Sequence, residues 1–152
     1  MIEDIPTLIA GYSPKNYNEK YDGVVPASRA LSRSLNVPIV KLLQQHGVQK
    51  FHNQLNNMGM TTINRPSSDY GLSLILGGAE ANLWELSSLY MNMARTLNNY
   101  AVGKRTKYLS PTYVYSEGVE RDNGNLLLTP AATWETFQAM LAVARPEIDG
   151  NW

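Results

Sequence analysis

The sequence predicts a mainly α-helical chain with one short β-hairpin. Three observations lead there. Apolar residues recur at helical spacing in several stretches, each bounded by a capping residue, a proline or a glycine. Only one stretch carries a hairpin signal, Asp122-Asn123-Gly124 between two short apolar runs. The chain, 152 residues with 43% hydrophobic content, is long enough for one domain with a real core.

Residues 1–25 read as an irregular lead-in, because Pro6, Gly11, Pro14, Asn16, Asn18, Asp22 and Gly23 punctuate them too often for a long helix. Residues 26–59 read as helices around the triplet Ser34-Leu35-Asn36. Pro26 suits a first helical position and pushes Val25 extended. Ala27, Ala30 and Leu31 then give a short helix ending near Ser34. Val37-Pro38 marks a restart, with Ile39, Val40, Leu42 and Leu43 as an apolar stripe that stops at Gly47. Val48, Phe51, Leu55 and Met58 continue at helical spacing until Gly59.

Residues 60–110 read as a loop and a long helix. Within them, Tyr70–Glu80 is a short apolar run closed by Gly77-Gly78, suited to a buried strand or a helix turn. Asn82 with Glu85 three residues on is a capping-box pattern. Leu83, Leu86, Tyr90, Met93 and Leu97 behind it form the clearest helical stripe. Residues 111–128 read as the hairpin, with Pro111–Tyr115 and Leu126–Leu128 as its strands. Residues 129–152 read as a last helix, capped by Thr129-Pro130, carrying Trp134, Phe137, Leu141 and Ala144, and stopped at Pro146.

Composition narrows the function classes. Net charge is zero and the basic residues are scattered, which does not fit a nucleic-acid footprint or a polybasic membrane patch. No apolar run approaches the roughly 20 residues of a membrane helix. Met1–Pro14 has neither a basic start nor a long apolar run, so it does not read as a signal peptide. With no cysteine there are no disulfides, thiol nucleophiles or cysteine-ligated zinc. Nine tyrosines against two phenylalanines suit amphipathic surfaces and grooves, or packing with a satisfied hydroxyl.

Few side chains stand out as chemistry. His46 and His52 are six residues apart, where one helix face binding zinc needs about four, so they read as helix-surface histidines. Glu117, Glu120 and Asp122 flank the hairpin tip and read as solvated charges. Gly77-Gly78 lacks the following Lys-Ser/Thr of a phosphate loop and suits a tight turn or a close backbone approach. Ser34 and Asn36 place a hydroxyl and an amide at a joint between helices, where both can face a cleft. Capping of the two helix ends is the simpler use of the same pair.

The flanks of that triplet carry a resemblance. Tyr12, Pro14, Asn16 and Tyr17, then Tyr21 and Gly23, then Ala30, Leu31, Ser34, Asn36 and Pro38 resemble the transpeptidase domain of bifunctional, class A penicillin-binding proteins, in particular their 1C branch. Tyr70–Tyr90 is similar to the same branch's Gly-Leu-Ser-x-x-Leu-Gly-Gly segment and following helix. The closing Arg145–Trp152 resembles the stretch before that family's Lys-Thr-Gly strand. The resemblance is collinear and covers almost the whole chain. It implies the helical part of an α+β domain of the penicillin-binding-protein and serine β-lactamase type.

Such serine acyl-transferases use Ser-x-x-Lys, Ser-x-Asn and Lys-Thr-Gly. The first supplies a nucleophile and its base; the second, a relay hydroxyl and a substrate-holding amide; the third, a strand that binds substrate carboxylate and completes the oxyanion site. Here only the second is present, as Ser34 and Asn36. No serine has a lysine three residues on, and Lys-Thr-Gly is absent. The chain therefore reads as an internal piece of one transpeptidase domain, inactive by itself. The resemblance implies a periplasmic parent anchored in the bacterial inner membrane and bifunctional with a glycosyltransferase. It would cross-link peptidoglycan stem peptides, take up β-lactams and need no metal or organic cofactor. Helices separated from the rest of such a domain would leave apolar faces open to self-association. The alternative is a non-catalytic helical module that binds peptidoglycan or a cell-wall protein through residues 12–23.

Overall fold

A computed structural model of the chain describes residues 1–106, 108–114 and 128–143. Their contacts divide into two compact units, one of residues 1–47 with 135–143, the other of the described residues between 48 and 134. Helices dominate, and the described strands form a two-stranded antiparallel pair.

That pair lies in the first unit, within the segment expected to be irregular. Strand β1 (Ile2–Asp4) runs antiparallel to β2 (Gly23–Val25), with Ile2 opposite Val25 and Asp4 opposite Gly23. Three residues are too few to display strand alternation in a sequence, yet Ile2 and Val25 are buried side by side on one face. In the connection, Ile9 and Tyr12 exchange two backbone hydrogen bonds of 2.8 Å around Ala10 and Gly11. Both turn residues have positive φ, 48° and 86°, the signature of a type I′ turn.

Pro26 leaves β2 extended and precedes α1 (Ala27–Ser32). Helix α2 (Asn36–His46) buries Val37, Pro38, Ile39, Val40 and Leu43 and packs on β1 and α1. A fully buried aliphatic side chain stabilises by about 1.5–3 kcal/mol, so the five buried residues of α2 are a large part of this unit's apolar stabilisation. It ends at Gly47, as its sequence predicts.

The second unit begins with α3 (Val48–Asn57). Its stripe of Val48, Phe51 and Leu55 is half-buried, and the buried residue within the helix is His52. The Tyr70–Glu80 run is helical rather than a strand: α4 (Ser67–Tyr70) passes into a 3-10 turn at Gly71–Leu76. Both expected uses of the glycine pair are present. Gly77 closes the turn at φ 92°, and a Cβ on Gly78 would lie 2.8 Å from the Ser73 carbonyl oxygen.

Helix α5 (Leu83–Ala101) starts where the capping pattern places it, with Asn82 Oδ1 accepting the Glu85 N–H at 2.8 Å. The second half of the capping box is missing, because the Glu85 carboxylate is engaged by Thr61 and Thr62. The apolar stripe is also turned the other way. Met93 is buried and Leu97 half-buried, but Leu83 is 81% exposed and Tyr90 50% exposed, with Leu86 also exposed. The buried face holds Glu85, Ser88, Asn92 and Thr96 instead.

Pro111–Val114 is not a strand. The expected hairpin tip at Asp122-Asn123-Gly124, the carboxylates Glu117, Glu120 and Asp122, and most of the second strand lie outside the described residues, as do Ala144 and Pro146. Helix α6 (Pro130–Leu141) is capped by Thr129, whose Oγ1 accepts the Ala132 N–H at 3.1 Å. Thr133 and Ala139 are its buried residues; Phe137 is half-buried, and Trp134 and Leu141 are exposed.

Candidate functional site

The joint between α1 and α2 closes by a Schellman motif. The Ser34 N–H donates to the Leu31 carbonyl at 3.0 Å, and the Leu35 N–H donates to the Ala30 carbonyl at 2.9 Å. Leu35 and Ala30, the two positions whose apolar contact accompanies such ends, are both buried. The residue past the end must turn left-handed, and glycine is the usual choice. Here it is Ser34, at φ 52°. A side chain in that conformation costs roughly 1–2 kcal/mol. Ser34 is exposed, and its hydroxyl makes no hydrogen bond among the described residues.

Leu35 occupies the N-cap of α2 and offers no side-chain acceptor. Asn36, the first helical residue, is half-buried and donates from Nδ2 to the Lys15 carbonyl at 2.9 Å. The two expected capping roles therefore resolve differently. Ser34 ends α1 through its backbone, leaving the hydroxyl without a partner among the described residues. Asn36 caps nothing and turns its amide to the lead-in segment.

That segment is ordered around two buried polar residues. Asp4 is 0% exposed and Asn16 2% exposed. Asn16 Nδ2 donates to Asp4 Oδ1 at 2.7 Å and to the Lys20 carbonyl at 2.9 Å, while its Oδ1 accepts the Val37 N–H at 3.2 Å. Asp4 Oδ2 accepts the Asp22 N–H at 2.9 Å, and the Asp22 carboxylate pairs with Arg33. Among these, the sequence singles out Asn16 and Asp22 only as punctuation of the lead-in, with Asn16 also in a motif, and shows neither the role of Asp4 nor the Asp22–Arg33 pair. A lone acidic residue in a three-residue strand leaves no pattern to read.

The two histidines serve different ends. His46 is exposed, as expected. His52 is buried, with Nε2 2.9 Å from the Arg65 carbonyl and Nδ1 3.3 Å from the Asn56 amide, its ring against Tyr70. Its polar neighbours satisfy it inside the second unit, which corrects the surface reading. Arg65 lies 4.5 Å over the Tyr70 ring and beside Glu80. The Tyr70 hydroxyl first, and Glu80 second, raise its pKa above the ordinary arginine value. Among the described residues no three His, Cys, Asp or Glu side chains converge.

The second unit also holds a cleft of about 450 Å³, lined by Asn57, Asn82, Trp84, Glu85, Ser88 and Tyr108 among others. Neither Ser34 nor Asn36 lines it. Burial raises the Glu85 carboxyl's pKa, but the Thr61 and Thr62 hydroxyls and the Thr61 N–H, at 2.6–3.0 Å, outweigh burial and hold it below the ordinary glutamate range. Glu85 therefore fastens the Thr61-Thr62 loop as an ionised group.

No protein-family model matches the chain. Individual proteins do. The chain is similar in sequence to penicillin-binding proteins. It is 36% identical over 95 residues to penicillin-binding protein 1C of Escherichia coli (strain K12), a match covering 62% of this chain and 12% of that protein. It is 42% identical over 80 residues to penicillin-binding protein 1F of Bacillus subtilis (strain 168), covering 53% and 10%. Penicillin-binding protein 1B of Vibrio cholerae serotype O1 is 29% identical over 100 residues, covering 62% and 12%. The matched stretch thus spans about an eighth or less of each of these penicillin-binding proteins. They carry different type letters, so the similarity singles out no branch among them. Among the described residues, no helix is long and apolar enough to cross a membrane.

Proposed function

We propose that this chain is the Ser-x-Asn portion of a peptidoglycan D,D-transpeptidase domain, of the 1C branch of penicillin-binding proteins. The observation that carries this is Ser34: an exposed hydroxyl with no partner among the described residues, held left-handed where glycine is usual, two residues from an amide, in a chain similar to penicillin-binding proteins. Strain of that kind concentrates at functional positions.

In this reading a serine nucleophile elsewhere in the domain attacks the stem-peptide carbonyl after its lysine takes the proton. The tetrahedral intermediate collapses to an acyl-serine as the terminal D-alanine amine leaves, protonated by relay through the Ser34 hydroxyl. Water is then excluded, and the amine of a second stem displaces the serine. Asn36 holds the substrate backbone. Its Nδ2 is already oriented by the Lys15 carbonyl, and its Oδ1 accepts no hydrogen bond among the described residues. The parent would act in the periplasm, anchored in the inner membrane, and β-lactams would acylate the same serine.

The test is labelling by a fluorescent penicillin. The 152-residue chain, which contains no Ser-x-x-Lys, should take up no label. The longer protein that includes it should be labelled, and Ser34→Ala should slow that labelling about a hundredfold while leaving folding intact. Stoichiometric labelling of the chain alone, or unchanged labelling of Ser34→Ala, overturns the reading.

The second reading is a non-catalytic module that binds peptidoglycan or a cell-wall protein. The fully exposed Tyr17 and the cleft beside Trp84 favour it. The reading frame around the chain decides between the two. A Ser-x-x-Lys upstream and a Lys-Thr-Gly shortly downstream support the enzyme, and their absence supports the module.

A further inference from the structure

We propose that Asp4 and Asn16 are positioning residues that clamp the Ser34–Asn36 joint, a proposal that rests on reading this joint as the transpeptidase motif. The clamp holds the joint on both sides of the strained serine. Before it, Arg33 pairs with Asp22. After it, Asn36 Nδ2 donates to the Lys15 carbonyl at 2.9 Å, and the Val37 N–H donates to Asn16 Oδ1 at 3.2 Å. All three attachments come from residues 15–22.

Asn16 does for α2 what Leu35 cannot. The first N–H groups of a helix have no partner within the helix, and a side-chain oxygen at the N-cap normally accepts one of them. With leucine at that position, the acceptor for Val37 arrives from 21 residues earlier in the chain. A cap supplied from so far away links the start of α2 to the placement of the lead-in segment.

Asp4 in turn holds the lead-in. One carboxylate oxygen takes the Asn16 amide at 2.7 Å and the other takes the Asp22 N–H at 2.9 Å, so it ties the two attachment points together. Burying a carboxylate is costly unless strong donors satisfy it, and this one is 0% exposed with both oxygens satisfied. Helix α1 spans only six residues and has no independent stability to hold the turn. Without the clamp, the left-handed Ser34 can relax and the relay hydroxyl moves relative to the Asn36 amide. A displacement of about 1 Å at a catalytic group can cost on the order of a hundredfold in rate.

The test uses the longer protein that includes this chain, with two readouts: amide hydrogen exchange at Leu35 and Val37, and the rate of penicillin acylation. Asn16→Ala should raise exchange at Val37 and slow acylation, each by about tenfold or more. The swapped pair Asp4→Asn with Asn16→Asp rebuilds the 4–16 hydrogen bond and keeps an acceptor for Val37, while giving up the donation to the Lys20 carbonyl. It should recover part of both, which a general loss of packing would not. Wild-type acylation in Asn16→Ala, or no recovery in the swapped pair, overturns the clamp. If Asn16→Ala does not fold, Asp4→Asn, which preserves shape, decides in its place: wild-type exchange and acylation overturn the proposal. Ser34→Ala separates the two claims. If it acylates at the wild-type rate, the functional reading falls while Val37 exchange still judges the clamp. If it is slow and Asn16→Ala is fast, the clamp falls and the functional reading stands.

Discussion

Helices α2 and α5 solve the same problem in opposite ways. Helix α2 buries an apolar face, Val37, Ile39, Val40 and Leu43, and is anchored at its start by the Asn16 side chain and the Lys15 carbonyl. Helix α5 buries a polar face and uses it to fasten loops. Glu85 takes three hydrogen bonds from Thr61 and Thr62. Ser88 Oγ is 3.1 Å from the Tyr108 hydroxyl. Asn92 accepts the Leu109 N–H at 2.8 Å and donates to its carbonyl at 3.0 Å, pairing with that backbone as a strand would. Apolar packing is non-directional and tolerates small adjustments; a polar face of this kind specifies particular partners and fails sharply when one is removed.

The largest effect should come from the apolar helix. Leu43→Ala removes a buried side chain from the face that packs on β1 and α1, and should cost about 2–5 kcal/mol. Chemical denaturation measures it. A cost under about 1 kcal/mol would mean that this face of α2 contributes little to its unit.

On α5 the next effect is directional. Asn92→Ala leaves both the N–H and the carbonyl of Leu109 without this partner, at about 1–3 kcal/mol for each group that water does not reach. The loss should be local, with hydrogen exchange rising at Leu109 more than along α5. Uniform loss of protection would show that the two regions do not differ as described.

Glu85 sharpens the comparison through pH. Its native pKa lies below the ordinary glutamate range, so its contribution is fully present above that range. The contribution is lost as pH falls through the lower native value, when protonation removes the acceptor for the Thr61 and Thr62 donors. Stability should therefore decline on the acidic side, and Glu85→Gln should flatten that decline. Denaturation midpoints from neutral to acidic pH test this, and an equally steep decline in the variant would remove Glu85 from the account.

The same contrast explains what could be read in advance. The bounds of α2 were legible because its apolar run, Pro38 and Gly47 all point to one answer. The start of α5 was legible from Asn82 and Glu85. The buried face of α5 was not, since periodicity counts apolar residues and here the polar ones face inward. The lead-in segment hid its order for a related reason. Asp4 and Asn16 are joined across 12 residues by a hydrogen bond, and no local pattern records such a link. The triplet itself was visible, and so was the choice between capping and a free hydroxyl. The left-handed backbone at Ser34 was not, because serine rarely adopts it and nothing nearby announces it.

The smallest effect on stability should come from the exposed apolar stripe of α5, and there the measurement of interest is association. Leu83, Leu86 and Tyr90 share one face, and exposed patches of this kind mark contact sites. The chain's zero net charge offers little electrostatic opposition to self-contact. The self-association expected of such open faces predicts a concentration-dependent mass by light scattering. Leu86→Gln with Tyr90→Gln leaves net charge unchanged and alters only exposed positions, so folding stability should move by about 0.5 kcal/mol. The same pair should return the mass to that of a monomer. A clean monomer before substitution would remove self-association, and a persistent oligomer after it would move the contact to another surface.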